Sequence, residues 1–109
     1  MTDNEILCLM REAPPQGQRA LFDKYYSYVY YIVNRIINGF GSADDSEECV
    51  IDVFASVMMK LVPDECCSLK SYVGAVARNA AISMKRRLAA KTGRIISADE
   101  ETMAVIADS

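Results

Sequence analysis

The segment SYVGAVARNAAISMKRRLAAK, residues 71–91, gathers side chains suited to holding a polyanion. On a 3.6-residue period Tyr72, Ala75, Asn79, Ile82 and Arg86 share one face, flanked by Arg78, Lys85 and Arg87. Cations neutralise phosphates, an amide hydrogen-bonds base edges, and an aromatic ring offers a platform to an unstacked base. The same residues also admit a plainer reading. Lys85, Arg86, Arg87 and Lys91 approach a helix C-terminus, where cations are favoured by about 0.3–1 kcal/mol each. Tyr72 fits a core edge with its hydroxyl in water, and Asn79 fits a solvated position.

Charge is segregated along the 109 residues. The formal net charge is -3, yet residues 69–96 carry seven basic side chains and no acidic one, and residues 97–109 carry four acidic and no basic. This asymmetry argues for an anionic partner on one face. Asp44, Asp45, Glu47 and Glu48 complement a helix N-terminus, which explains them without a partner; Asp52, a turn further on, is not explained that way. The chain has no His and no second acidic cluster in helical register, so neither a metal site nor an acid–base pair is expected. Without a nucleophile–base pair, the chain reads as a binding protein with no cofactor rather than an enzyme.

The elements that must position these residues are helical. Thr2 three positions before Glu5 fits a capping box ahead of a short helix with Ile6, Leu7, Leu9 and Met10 on one stripe. Pro14, Pro15 and Gly17 end it. From Gln18 to Asn38 the apolar positions Leu21, Phe22, Tyr25, Val29, Ile32, Val33, Ile36 and Ile37 mark a long helix with a wide buried face. The tyrosines at 25–31 read as core packing, because most follow that stripe. Gly39 and Gly41 close the helix, and Phe40 is placed back over the core.

Ser42 then opens a third helix that buries Val50, Val53, Phe54, Val57 and Leu61. Pro63 and a polar turn end it. Ser68 caps a fourth, about Leu69–Lys91, with Leu69, Val73, Val76, Ala77, Ala80, Met84 and Leu88 inward. The pattern predicts an all-α fold, a compact bundle of three long helices plus a short N-terminal helix. Residues 1–92 form the domain, and residues 93–109 read as a linker or tail.

The four cysteines, Cys8, Cys49, Cys66 and Cys67, include one adjacent pair and no CxxC spacing, so they are expected to be free thiols in a reducing compartment. No secretory leader is evident, and every apolar run is far shorter than the roughly 20 residues that span a bilayer. The expectation is a cytoplasmic protein without a membrane partner.

Three stretches, ALFDKYYSYVYYIVNRII, ADDSEECVIDVFASVMMKL and SYVGAVARNAAISMKRR, in this order and at this separation, resemble region 2 of the bacterial sigma factors, in particular the extracytoplasmic-function group of the sigma-70 family. The resemblance covers about residues 18–91. It implies a transcription initiation factor domain that binds core RNA polymerase and recognises and melts the promoter -10 element. Docking of the acidic helix on the clamp helices of the polymerase beta-prime subunit would fall to Asp45, Glu48, Ile51, Asp52 and Met58 or their near neighbours. Contact with promoter DNA, mainly its non-template single strand, would fall to Tyr72, Arg78, Asn79, Ile82, Lys85, Arg86 and Arg87. The preceding loop, here Pro63, Asp64, Glu65, Cys66, Cys67 and Ser68, would hold a flipped-out base.

This sequence departs from the family pattern at three places: Ile51 where Gln is usual, Tyr72 where Trp is usual, and Ser83 where Asp is common. The second keeps an aromatic ring at the site. Region 4, the helix-turn-helix unit of the family, has no counterpart here, and residues 93–109 are expected to lead toward it. A different class of reading also accommodates the charges: a helical protein-interaction adaptor whose basic face meets an acidic partner, such as an anti-sigma factor, with DNA irrelevant.

Overall fold

The computed structural model describes residues 1–65 and 68–92. Four helices account for nearly all of them: α1 (Asp3–Glu12), α2 (Pro14–Ile37), α3 (Ala43–Lys60) and α4 (Leu69–Thr92), with a single 3-10 turn at Pro63–Glu65. Among the described residues there is no strand, and the architecture is the all-α bundle the periodicity predicts. Cys66, Cys67 and the expected tail at 93–109 lie outside the described residues.

The Thr2 capping box is formed. The Glu5 amide donates to Thr2 Oγ1, and the Thr2 amide donates to Glu5 Oε1, each at 3.2 Å. Hydrogen bonds from the Thr2 backbone and side chain hold the Glu5 carboxyl below its ordinary range. At its far end α1 gives way to α2 with only Ala13 between them. The second helix therefore starts four residues earlier than expected, at Pro14 instead of Gln18. The prolines begin a helix here, because their missing N–H and fixed φ cost nothing in the first turn. Gly17, expected as a breaker, sits inside α2 and faces α1. A Cβ there would stand 2.5 Å from the Met10 backbone nitrogen, so only glycine admits this crossing.

Gly39 turns the chain after α2 with φ of +86°, a conformation that glycine adopts without a Cβ clash. Ser42 then caps α3: its amide donates to Asp45 Oδ2 at 2.8 Å, and the Asp45 amide donates to Ser42 Oγ at 3.3 Å. Leu21, Val29 and Val33 of α2 meet Val50, Val53 and Val57 of α3 and Leu69, Val73 and Ala77 of α4 in a core without solvent contact. Each large aliphatic side chain among them contributes roughly 1.5–3 kcal/mol. The Phe22 and Phe54 rings pack at 4.9 Å between centroids. Buried Ser46 donates to Asn34 Oδ1 at 3.2 Å and pins α3 to α2.

Along α4 the expected inward residues Leu69, Val73, Ala77 and Met84 are buried, while Val76, Ala80 and Leu88 are half-buried. Gly74, Ala81, Ile82, Lys85 and Ala89 are buried as well, so the covered face is wider than the sequence reading drew it. Cys8 is half-buried and Cys49 buried, both as free thiols. No described helix is long and apolar enough to cross a membrane.

Candidate nucleic-acid interface

Ser68 starts α4 as its residue type suggests. Its Oγ accepts from the Ser71 amide at 3.3 Å, and its carbonyl accepts from the Tyr72 amide at 3.0 Å. The Tyr72 ring is half-buried against the core edge, and exposed Asn79 and Arg86 follow it on the same outward stripe. Leu61, Val62, Lys60, Glu65 and Tyr72 line a hollow of about 180 Å³ where the 3-10 turn meets α4. Aliphatic walls, one ring, one cation and one carboxylate thus converge beside the face that carries Asn79. Pro63 is half-buried and Asp64 exposed at this turn, and the Arg11 guanidinium of α1 donates to Asp64 Oδ1 at 2.8 Å.

Two residues, Ile82 expected on the outward stripe and Lys85 expected beside it, are buried instead. Ile82 retains 8% and Lys85 7% of its accessible surface. Ile82 belongs to the core cluster. Lys85 lies under the chain between α2 and α3, with its ammonium 4.9 Å from the centre of the Phe40 ring. The Phe40 ring, expected over the core, lies against this cation. The long Lys stem is covered while its charge meets the ring face, an attraction worth about 0.5–2 kcal/mol.

Arg78 and Arg87 diverge from the stripe toward opposite neighbours. Arg78 is half-buried on the α2 side: a Cβ built on Gly74 would meet both its Nη1, at 3.3 Å, and the Tyr28 hydroxyl, at 2.7 Å. Lys70, which the sequence reading left out, stands 5.3 Å from the centre of the same Tyr28 ring. Arg87 is exposed, and its charge acts on Cys49 of α3. Burial pushes the Cys49 thiol up to about 11, aided by Asp52 and Glu48 and opposed by Arg87. The basic helix therefore meets the acidic one near its C-terminal end.

The outer face of α3 is acidic with an apolar centre. Glu48 and Asp52 are exposed, Ile51 is 64% exposed, and Met59 is 84% exposed. Asp45 is half-buried and engaged in the Ser42 cap, and Met58 packs against the core. Met59, missed by the sequence reading, is the methionine that α3 turns outward. The i, i+4, i+8 spacing of Ile51, Ala55 and Met59 carried that signal. On α2, Tyr25 is buried as expected, but Tyr31 is exposed at the rim of a hollow of about 310 Å³ formed with Tyr26, Ser27, Tyr30, Asn34 and Arg35.

Residues 21–91 match the family described as Sigma-70 region 2. The chain belongs to that family. The match spans α2, α3 and α4 from Leu21 onward and gives the domain a role in transcription initiation. It leaves α1 outside its bounds. No curated protein and no solved structure matches the chain significantly. Among the described residues no group of His, Cys, Asp or Glu could hold a metal ion.

Proposed function

We propose that this domain docks on the clamp helices of the core RNA polymerase beta-prime subunit through the outer face of α3. On this reading α4 holds the promoter -10 element, chiefly its non-template single strand, in the manner of the extracytoplasmic-function group. Tyr72, at the mouth of the hollow and on the same stripe as Asn79 and Arg86, carries this reading. An unstacked base enters beside Tyr72, Asn79 reads a neighbouring base edge, and Arg86, with Arg78, offsets backbone phosphates. Ile82 and Lys85 support the helix from beneath.

No bond is made or broken in this function. Taking a base out of the duplex costs a few kcal/mol, and stacking on an aromatic ring returns about 1–3 kcal/mol per base. The domain melts DNA by binding the open strand more tightly than the closed duplex. The carboxylates of α3 repel DNA, which keeps the polymerase-facing surface available for protein.

The test is fluorescence anisotropy of fork-junction promoter DNA, with and without core polymerase. Arg86→Ala is expected to weaken binding to all sequences alike and to lower the salt slope by about 1. Asn79→Ala is expected to change sequence preference instead, and unchanged discrimination would remove Asn79 from the interface. DNA binding that is absent even with polymerase, alongside capture of an acidic protein partner, would favour the adaptor reading.

A further inference from the structure

The turn that closes the hollow is tied to a helix outside the matched family segment. At one end α1 is fixed firmly: Asp3 Oδ1 accepts from Lys24 Nζ at 2.8 Å and from the Tyr25 hydroxyl at 2.6 Å. Ile6 is fully buried, and Gly17 lets the Met10 backbone close on α2. From its last turn Arg11 reaches Asp64, which neighbours it only in space. Asp64 sits beside Glu65, which lines the hollow with Lys60 and Tyr72.

Both partners of the Arg11–Asp64 pair are exposed, and such pairs add little to overall stability. Their consequence is local. The pair selects one position for the Pro63–Glu65 turn within the connection between α3 and α4. It also offsets one of two adjacent carboxylates that would otherwise repel an incoming phosphate.

We propose that Arg11 is a positioning residue. Through Asp64 it holds the Pro63–Glu65 turn where Glu65 and Tyr72 face the captured base, so that α1 sets how strictly that base is chosen. This rests on the base-capture reading above.

The test uses core polymerase, the full chain and fork-junction DNA with a randomised non-template overhang; bound strands are sequenced to give the base preference at each position. Arg11→Ala and Asp64→Asn are each expected to flatten the preference at one position by up to about five-fold, the scale of one exposed ion pair. The double variant is expected to go no further than either single, and thermal midpoints are expected to stay unchanged. If Tyr72→Ala flattens that position while Arg11→Ala and Asp64→Asn do not, the positioning role is overturned and base capture stands. Additive effects of the two single variants would also overturn it, because each residue would then act alone. If Tyr72→Ala changes no position, base capture fails and the proposal falls with it.

Discussion

Gly17 lies against the backbone of Met10 so closely that a Cβ on it would stand 2.5 Å from the Met10 nitrogen and 2.6 Å from its Cα. The contact fixes where α1 crosses α2. Gly17→Ala would gain about 1 kcal/mol of helix propensity but would force two backbones apart, and overpacking costs typically about 1–3 kcal/mol. Net destabilisation is expected, read as a lower urea midpoint at constant m-value. An unchanged or higher midpoint would show that α1 shifts without strain.

Lys85 and Arg86 are adjacent in sequence and opposite in role. Lys85→Ala removes a buried stem and the ring contact with Phe40, and is expected to lower stability by about 1–2 kcal/mol. Arg86→Ala, at an exposed position, is expected to cost less than Lys85→Ala. Paired urea melts distinguish the two, and equal losses would remove the distinction.

Ile51, between Glu48 and Asp52, and Met59, in the last turn, are large apolar residues exposed on α3. Charged substitutions there, Ile51→Arg or Met59→Arg, leave the core untouched and are expected to leave the thermal midpoint unchanged. Affinity for core polymerase is expected to fall by at least about thirty-fold, the effect of losing an interface anchor worth about 2 kcal/mol or more. Met58→Ala is expected to show the reverse pattern, lowering stability more than affinity, because its side chain packs inward. Competition binding with labelled parent domain measures the first, and calorimetry the second.

Cys49 gives the domain a pH dependence on the alkaline side. Its folded value, about 11, lies above the ordinary 9.0. A raised folded value means that the stabilising difference is fully present below pH 9.0 and is lost as pH rises toward about 11, where the buried thiolate forms. Cys49→Ala is expected to flatten this limb of the stability profile. At neutral pH the thiol is expected to react with maleimide only upon unfolding, and rapid modification of the folded domain would contradict its burial.

Much of this molecule is legible in the order of its residues. Capping boxes at Thr2 and Ser42 and apolar periodicity from Leu21 to Ile37 depend on neighbours within a turn or two, so local chemistry specifies helix type and most buried positions. The aromatic, amide and cation of the outward stripe, Tyr72, Asn79 and Arg86, were likewise legible, since one helical period fixes their common direction. Pro14 and Gly17 were misread because both residues break helices in isolation. Here a helix beginning at Pro14 and an α1 backbone lying over Gly17 reverse their meaning.

What tertiary structure decided is how wide the covered face of α4 is and what sits beside it. A helical wheel gives directions, but burial depends on how many neighbours enclose the helix; α2, α3 and the Phe40 turn together cover Ile82 and Lys85, which periodicity had faced outward. The Arg11–Asp64 pair and the approach of Arg87 to Cys49 join residues far apart in the chain. Only the packing of whole helices brings such groups within electrostatic range, because no local rule carries information across the dozens of residues that separate them.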